Sequence, residues 1–169
     1  APFKENYPLS SINPYGSTKI IIEQLIRDYS ASNNQFKCIS LRYFNPIGAD
    51  LKTGLSDQPL GKPQNLIPIL NHTIKYKKKF EIYGNDYNTK DGTCLRDFIH
   101  IIDLAKAHII ALKKISKIKG YEPLNLGLGK GISVLEIINL YEKINNIKVD
   151  YKFVKRRKGD VAISYADNK

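Results

Sequence analysis

The chain has 169 residues, and its 27 basic and 16 acidic residues give a formal net charge of +11. This length fits one domain or part of a larger protein, and no apolar run is long enough to predict a membrane-spanning helix. The lysines are mostly scattered, so the charge indicates a compositional bias and argues against a nucleic-acid-binding surface. The two cysteines, Cys38 and Cys94, are too few and too far apart for a metal cluster or a disulfide framework, so we expect a reduced, cytoplasmic protein without a bound metal. The chain begins at Ala1 and contains no methionine, from which we expect a fragment or a processed product.

The first predicted element is an amphipathic helix from residue 14 to about residue 32. Asn13 suits the N-cap position, and Pro14 suits the first helical turn. Apolar residues then recur at helical spacing: Ile20, Ile21, Leu25, Ile26 and Tyr29. A mostly apolar strand is predicted over residues 36–44, because that segment is rich in residues that favour strands.

The remaining elements alternate between strands and helices. Pro46 and Gly48 are expected to end the first strand. The predicted elements are then a loop over 48–64, a helix capped by Asn65, a strand over 80–83, a polar loop over 84–93, a strand over 98–102, a helix capped by Asp103, a strand over 123–126, a helix from Ser133 to about 145 and a strand over 149–154. Ser133 and Glu136 have the spacing of a capping box. The alternation predicts an α/β fold.

Tyr15 and Lys19 lie four residues apart on the first predicted helix, so their side chains project from the same face. A tyrosine phenol has an unperturbed pKa of about 10, which is too high for a general base at neutral pH. A lysine ammonium about 5 Å away, in partly dry surroundings, supplies a few kcal/mol towards the phenolate, and an oxidised nicotinamide cation could supply the rest. Alone, this spacing is a weak signal, because two residues on a solvated helix face give the same pattern.

Further motifs follow in a fixed order and give the pair its context. They are PYGSTK at 14–19, LRYFNPIGA at 41–49, NLIP at 65–68, IYGNDY at 82–87, DGTCLRDFIH at 91–100, NLG at 125–127, RRKGD at 156–160 and YAD at 165–167. The set resembles the extended short-chain dehydrogenase/reductase superfamily and, within it, the UDP-glucose 4-epimerase family. The resemblance covers essentially the whole chain. It implies the C-terminal portion of a Rossmann-type α/β protein, with a smaller substrate-binding domain.

The resemblance also implies a reaction and a cofactor. The expected activity is NAD-dependent inversion at C4 of a UDP-hexose through a 4-keto sugar, as in galactose metabolism. Tyr15 would take the proton from the 4-hydroxyl, Lys19 would tune Tyr15 and bind the nicotinamide ribose, and Phe44 would lie against the nicotinamide. Both Tyr15 and Lys19 are therefore expected to contact the cofactor as well as to act in catalysis.

The expected UDP-sugar-binding residues come from the same resemblance. They are Asn45, Asn65, Leu66, Glu81, Ile82, Tyr83, Arg96, Arg157, Asp160 and Ser164. Arg96 and Arg157 can grip a diphosphate by forked, charge-assisted hydrogen bonds, and Asp160 can accept from a hydroxyl. The residue matching Ser164 lies beside the 2-substituent of the sugar, so a small serine leaves room for an N-acetyl group. We therefore expect UDP-N-acetylhexosamines to be accepted too.

Structural alternatives exist for several of these residues. Asn45 can shape the turn before Pro46, Arg96 can pair with Asp97 or Asp91, and the loop over 156–160 can simply be solvated. His72, His100 and His108 have no ligand spacing, and we interpret them as structural. The sequence GLG at 127–129 lacks the third glycine of a dinucleotide-binding loop and follows no complete βαβ unit.

The sequence also departs from the family pattern. The 169 residues contain no G-x-x-G-x-x-G loop, and the family's catalytic serine or threonine has no match. We therefore predict residues 1–48 to be a remnant of the NAD-binding domain and 49–169 to be mainly the UDP-sugar-binding domain, with some segments returning to the Rossmann sheet. The isolated chain is expected to be inactive, and the full-length protein is expected to be a homodimer. A nucleotide-sugar dehydratase or decarboxylase of the same superfamily, or a non-catalytic basic binding module, stays open as an alternative.

Overall fold

The computed structural model describes residues 1–168, which form four α-helices and nine short strands. The helices are α1 Pro14–Ser32, α2 Leu66–Lys75, α3 Ile101–Lys114 and α4 Val134–Asn145. The strands are β1 Cys38–Tyr43, β2 Asn45–Ile47, β3 Phe80–Tyr83, β4 Leu95–Arg96, β5 Phe98–His100, β6 Tyr121–Leu126, β7 Ile132–Ser133, β8 Tyr151–Val154 and β9 Ile163–Ser164. The predicted α/β class is confirmed, and no helix within residues 1–168 is long and apolar enough to cross a bilayer.

Most strand pairs are parallel and join segments that are far apart in sequence. β1 pairs with β6, so that Cys38 lies opposite Tyr121 and Tyr43 lies opposite Leu126. β2 pairs with β5, and β3 pairs with β8, again in parallel. β4 lies between β7, which is antiparallel to it, and β9, which is parallel. Parallel pairing needs long crossovers, and helices supply several of them here.

The hydrophobic core lies where α2 and α4 pack against β3 and β5. Its buried centre consists of Leu70, Phe80, Ile82, Phe98, Ile137, Ile138 and Val149. Phe80 and Ile82 are two positions apart on β3, so their side chains point to the same side of the strand. The core fixes β3 and β5, which form two walls of the site described below.

Two helix starts illustrate how local chemistry sets the boundaries. The Asn13 side chain accepts a hydrogen bond from the Gly16 amide at 2.7 Å, which confirms the predicted cap of α1. For α3 the predicted cap at Asp103 is wrong. The cap is His100, three residues earlier, and the helix begins at Ile101, because the His100 Nδ1 accepts from the Ile102 amide at 3.2 Å. The preceding strand therefore ends at His100 and not at residue 102.

The remaining differences concern short strands. Pro46 was expected to end the first strand, but Asn45–Ile47 forms the new strand β2 beside β5. Proline is compatible with a strand that is paired on one side only, because the missing amide proton is then not required. The two-residue strands β4, β7 and β9 are too short to show any period in the sequence.

Candidate functional site

A cleft of about 810 Å³ opens between α2, β3, β4 and the loop that follows β8. Its lining contains nine of the ten residues predicted to bind the UDP-sugar: Asn45, Asn65, Leu66, Glu81, Ile82, Tyr83, Arg96, Arg157 and Asp160. They come from five separate stretches of chain, which only the parallel strand pairing brings together. We call this cavity the nucleotide cleft, after the UDP-sugar that the resemblance implies for these residues.

Two arginines in the nucleotide cleft converge on one carboxylate. Asp160 Oδ1 lies 3.6 Å from Nη2 of Arg96, and Asp160 Oδ2 accepts from Nε of Arg157 at 2.9 Å. Arg96 therefore pairs with Asp160, and not with Asp97 or Asp91 as the structural alternatives proposed. Two guanidinium groups at one point form a donor set suited to a phosphate or a diphosphate.

The Arg96 guanidinium is also held by two backbone carbonyls, one on β4 and one just before β9. Its Nη1 donates to the carbonyl oxygens of Leu95 and Val161, each at 2.8 Å. The Arg157 guanidinium is more exposed and lies over the ring of Tyr83, 4.9 Å from the ring centroid. Arg96 is thus fixed in the cleft wall, whereas the side chain of Arg157 is more exposed to solvent.

All four residues of β3 line the cleft, and their burial alternates along the strand. Ile82 is buried in the core, while its neighbours Glu81 and Tyr83 are more exposed. Lys152 on β8 contacts Glu81 at 2.9 Å, and this hydrogen bond lowers the pKa of the Glu81 carboxyl. The Tyr83 hydroxyl donates to the same carboxylate at 3.4 Å.

Asn65 occupies the N-cap position of α2, as predicted, but its side chain makes no capping hydrogen bond. Its amide instead donates to Asp57 Oδ2 in the preceding loop, at 2.7 Å. This contact ties the loop to the start of α2 and leaves Asn65 and Leu66 at the cleft wall.

Sequence reasoning missed several residues that line the nucleotide cleft. They are Lys62, His72, Lys78, Lys79 and Cys94. The run Lys77–Lys79 was a visible signal, but a run of lysines in sequence is more often a solvated surface. His72 was interpreted as structural because it has no ligand spacing, yet it lies on this wall. The cleft is therefore more basic than the two predicted arginines make it.

Asp97 is a further residue whose side chain the sequence analysis did not single out. It is fully buried, and its carboxylate accepts backbone hydrogen bonds from Leu128 at 2.7 Å, Gly129 at 3.0 Å and Ala166 at 3.1 Å. The GLG loop at 127–129 thus uses its amides to bind an internal carboxylate. The Asp97 carbonyl also accepts from the Asn45 amide at 3.0 Å, which aligns β2 with β5 at the cleft.

Tyr15, Lys19 and Phe44 do not line the nucleotide cleft. Tyr15 is 72% exposed, and the Lys19 ammonium lies 5.1 Å from the centroid of its ring, so the predicted pair is formed on one helix face. Phe44 follows β1 directly, and its amide donates to the Leu126 carbonyl at 3.0 Å. Phe44 therefore connects the β1–β6 sheet to Asn45 in the cleft.

Ser164 is the one predicted substrate residue outside the cleft lining. It lies on β9 and is paired in register with Arg96 on β4. A concavity of about 890 Å³ beside α1 contains none of the predicted site residues. Within residues 1–168, no group of three or more His, Cys, Asp or Glu side chains is arranged to hold a metal ion.

The parallel strands and crossover helices define an α/β protein of the Rossmann type, and the cleft described above is basic. The chain belongs to the NAD dependent epimerase/dehydratase family, which matches residues 1–127.

The relatives that the chain resembles are UDP-sugar epimerases. It is 47% identical to a UDP-glucose 4-epimerase of Dictyostelium discoideum, over 98% of this chain and 49% of that protein. The solved UDP-glucose 4-epimerase of Bifidobacterium longum, in complex with NAD+ and UDP, is 40% identical with a TM-score of 0.91, over 98% of this chain and 50% of that one. The UDP-Glc/GlcNAc 4-epimerase of Campylobacter jejuni is 38% identical with a TM-score of 0.73, over 97% and 50%. The chain spans about half the length of the curated relatives that it matches.

Proposed function

We propose that this chain is the UDP-sugar-binding part of an NAD-dependent epimerase that inverts C4 of UDP-hexoses. The observation that carries the proposal is the convergence of nine predicted substrate residues on one cleft of about 810 Å³. A cleft of this size with convergent polar groups is typical of a small-molecule site. The NAD+ and UDP in the Bifidobacterium longum relative support the choice of ligand class.

The proposed roles follow from the chemistry of each wall. Arg96 and Arg157 bind the diphosphate, because their planar donors match its oxygens. Asn45 and Asn65 supply amide hydrogen bonds to the nucleotide-sugar. The Leu66 backbone lies beside these two amides, and the β3 segment Glu81–Tyr83 lies along the base.

The catalytic dyad belongs to α1. The exposed Lys19 ammonium offers three donors beside the phenol of Tyr15, a set that suits the ribose hydroxyls of a nicotinamide dinucleotide, with Phe44 at the nicotinamide end. NAD bound beside these residues would supply the acceptor for the C4 hydride and the donor for its return. Tyr15 takes the proton from the 4-hydroxyl and gives it back, and the Lys19 charge stabilises the phenolate form of Tyr15.

Calorimetric titration of the 169-residue chain with UDP tests the proposed site. We expect UDP to bind at least tenfold more tightly than ADP, which has the same ribose diphosphate but a larger base. Equal affinity for the two nucleotides, or no UDP binding, would contradict the proposal. A yeast RNA titration run in parallel tests the alternative of a basic nucleic-acid-binding module.

We further propose that residues 1–48 contribute to an NAD-binding domain and that 49–169 bind mainly the sugar nucleotide. The 169 residues contain no G-x-x-G-x-x-G loop, so the chain alone is expected to bind NAD weakly and to convert no UDP-galactose. Turnover by the purified 169-residue chain, followed by chromatography of the sugar nucleotides, would disprove this.

We propose that the full-length enzyme also accepts UDP-N-acetylhexosamines, because Ser164 is small. The Campylobacter jejuni relative, described as a UDP-Glc/GlcNAc 4-epimerase, supports this. A full-length Ser164→Tyr variant should lose the N-acetyl activity and keep the glucose/galactose activity. A wild-type enzyme without N-acetyl activity would refute the idea.

The biological setting that we propose is galactose metabolism in the cytoplasm, with the full-length enzyme acting as a homodimer. Exposed apolar side chains on α1, namely Ile22, Leu25 and Tyr29, support a helix-mediated interface. Light scattering of the full-length protein and cell fractionation test the two statements. A monomer at micromolar concentration would contradict the first.

A further inference from the structure

The turn between α2 and β3 brings a second group of cationic side chains to the nucleotide cleft. The basic lining residues of this group are Lys62, His72, Lys78 and Lys79. Lys79 directly precedes β3, whereas Arg157 lies over the ring of Tyr83, the last residue of that strand. A strand rises about 3.3 Å per residue, so Lys79 and Tyr83 are about 13 Å apart along β3. A single diphosphate is too short to contact both groups of cations.

The α2–β3 turn has a lysine at a position where glycine is usual. The Lys77 amide donates to the Ile74 carbonyl at 3.1 Å, and the Lys78 amide donates to the Thr73 carbonyl at 2.8 Å. These two bonds form a Schellman motif at the end of α2, and its left-handed residue, Lys77, has a φ of 51°. The motif fixes the direction in which the chain leaves α2, so that Lys78 and Lys79 reach the cleft wall.

Tyr76, the last position of α2 before this turn, packs against two of the polar side chains. Its ring centroid lies 4.6 Å from that of His72 and 5.9 Å from the Lys78 ammonium. His72 is half-buried, and neither of its ring nitrogens has a hydrogen-bond partner within residues 1–168. The imidazole and the ammonium are therefore both available to donate to an acceptor in the cleft.

The carboxylates of the cleft do not neutralise these cations. Glu81 and Asp160 are the two carboxylates in the lining, and they pair with Lys152 and with the two arginines respectively. Lys62 adds to the effect of Lys152 in lowering the pKa of Glu81, which places Lys62 near the start of β3. In the part of the chain that the structure describes, Lys62 and Lys78 have no carboxylate at ion-pair distance. This end of the cleft therefore has a surplus of positive charge.

We propose that Lys62, His72 and Lys78 form a second anion subsite in the nucleotide cleft, which binds a small inorganic phosphate such as pyrophosphate. Ammonium and imidazole groups donate to the acceptor oxygens of such an anion. Lys79 contributes less, because Asp150 pairs with it at 3.6 Å. The subsite is separate from the arginines to which the proposed function assigns the diphosphate. An anion held there shares the cleft with a sugar nucleotide and does not displace it.

Calorimetric titrations of the 169-residue chain with inorganic pyrophosphate, at fixed ionic strength, test the proposal. With UDP present at a saturating concentration, we expect one pyrophosphate to bind per chain. Under the same conditions, the double variant Lys62→Ala/Lys78→Ala should bind pyrophosphate at least tenfold more weakly. Lys75→Ala/Lys77→Gly is the matched control, because it removes two cations at the same end of α2 that do not line the cleft. Glycine is the favoured residue at the left-handed position of Lys77, so the turn is kept.

Equal losses of pyrophosphate affinity in the two double variants would overturn the proposal, because they would indicate a general charge effect. A wild-type titration provides a test that does not depend on any variant folding. Displacement of pyrophosphate by UDP, or no pyrophosphate binding at all, would there overturn the second subsite. If the wild-type chain binds no UDP, the proposed function fails, and pyrophosphate titrations of the two double variants without UDP still decide the subsite.

Discussion

Arg42 on β1 and Glu23 on α1 form a bidentate ion pair that joins the helix to the sheet. Nε of Arg42 donates to Oε1 of Glu23 at 2.8 Å, and Nη2 donates to Oε2 at 2.5 Å. The hydroxyl of Tyr121 on β6 donates to the same carboxylate at 2.7 Å. Glu23 lies one turn beyond Lys19 and two turns beyond Tyr15. The pair thus fixes the rotation of the helix that carries the predicted catalytic dyad.

Glu23→Gln should destabilise the chain by about 1.5–3 kcal/mol, since it removes charge-assisted hydrogen bonds from a mostly buried guanidinium. Urea unfolding followed by circular dichroism at pH 7 measures the loss. Asp28→Asn, at an exposed position of the same helix, is the matched control and should change stability by less than about 0.5 kcal/mol. Equal effects of the two substitutions would show that the ion pair contributes nothing specific.

The same pair predicts a pH dependence. The hydrogen bond from Arg42, assisted by the Tyr121 hydroxyl, lowers the pKa of Glu23 below its ordinary value. A lowered pKa in the folded state means that the stabilisation is complete above the unfolded pKa, about 4.3, and is lost as the pH falls through the folded value. The stability difference between wild type and Glu23→Gln should therefore be constant from pH 7 to pH 5 and shrink below about pH 4. A difference that stays the same at pH 3 would contradict this.

Gly127→Ala should destabilise the chain by about 3 kcal/mol or more, because an added Cβ would lie 2.2 Å from Oδ2 of the buried Asp97. The carboxylate cannot move without breaking its hydrogen bonds to Leu128, Gly129 and Ala166. Gly61→Ala is the control, since no atom lies within 4 Å of its added Cβ. Thermal unfolding of both variants measures the difference, and similar midpoints would refute the close packing.

Ser133→Ala should cost about 1–2 kcal/mol, because Ser133 caps α4 and is almost fully buried. Its hydroxyl accepts from the Glu136 amide at 3.0 Å and also donates to Asp91. Ser32→Ala removes an exposed hydroxyl at the end of α1 and serves as the control. Urea unfolding of the two variants should separate them by at least about 1 kcal/mol.

Arg157→Ala should weaken UDP binding by roughly ten- to hundredfold, because it would remove the charge-assisted hydrogen bonds that we propose to the diphosphate. Its neighbour Arg156 carries the same charge but pairs with Asp86 and lies over the ring of Tyr87, outside the cleft lining. Arg156→Ala should therefore leave the affinity within about twofold at fixed ionic strength. Comparable losses in both variants, measured by calorimetry, would indicate a general charge effect instead of a specific contact.

The sequence alone determined the elements whose signals are local. The Asn13 cap gives the start of α1, the capping box of Ser133 and Glu136 gives the start of α4, and β3 has its predicted bounds. These features depend on hydrogen bonds and periodicities within a few residues, so they can be recognised in the sequence alone. The ordered motifs likewise indicated the family before any contact was known.

Only the tertiary structure decided which hydrogen-bond and ion-pair partners the polar side chains have. Arg96 pairs with Asp160, 64 positions away in sequence, and Asp97 binds the amides of a loop about 30 residues further on. Such choices depend on parallel pairing between distant strands, because β4 must lie beside β9 before these groups meet. No local pattern records that pairing, which is why Asp97 and the basic wall of Lys62, Lys78 and Lys79 were missed.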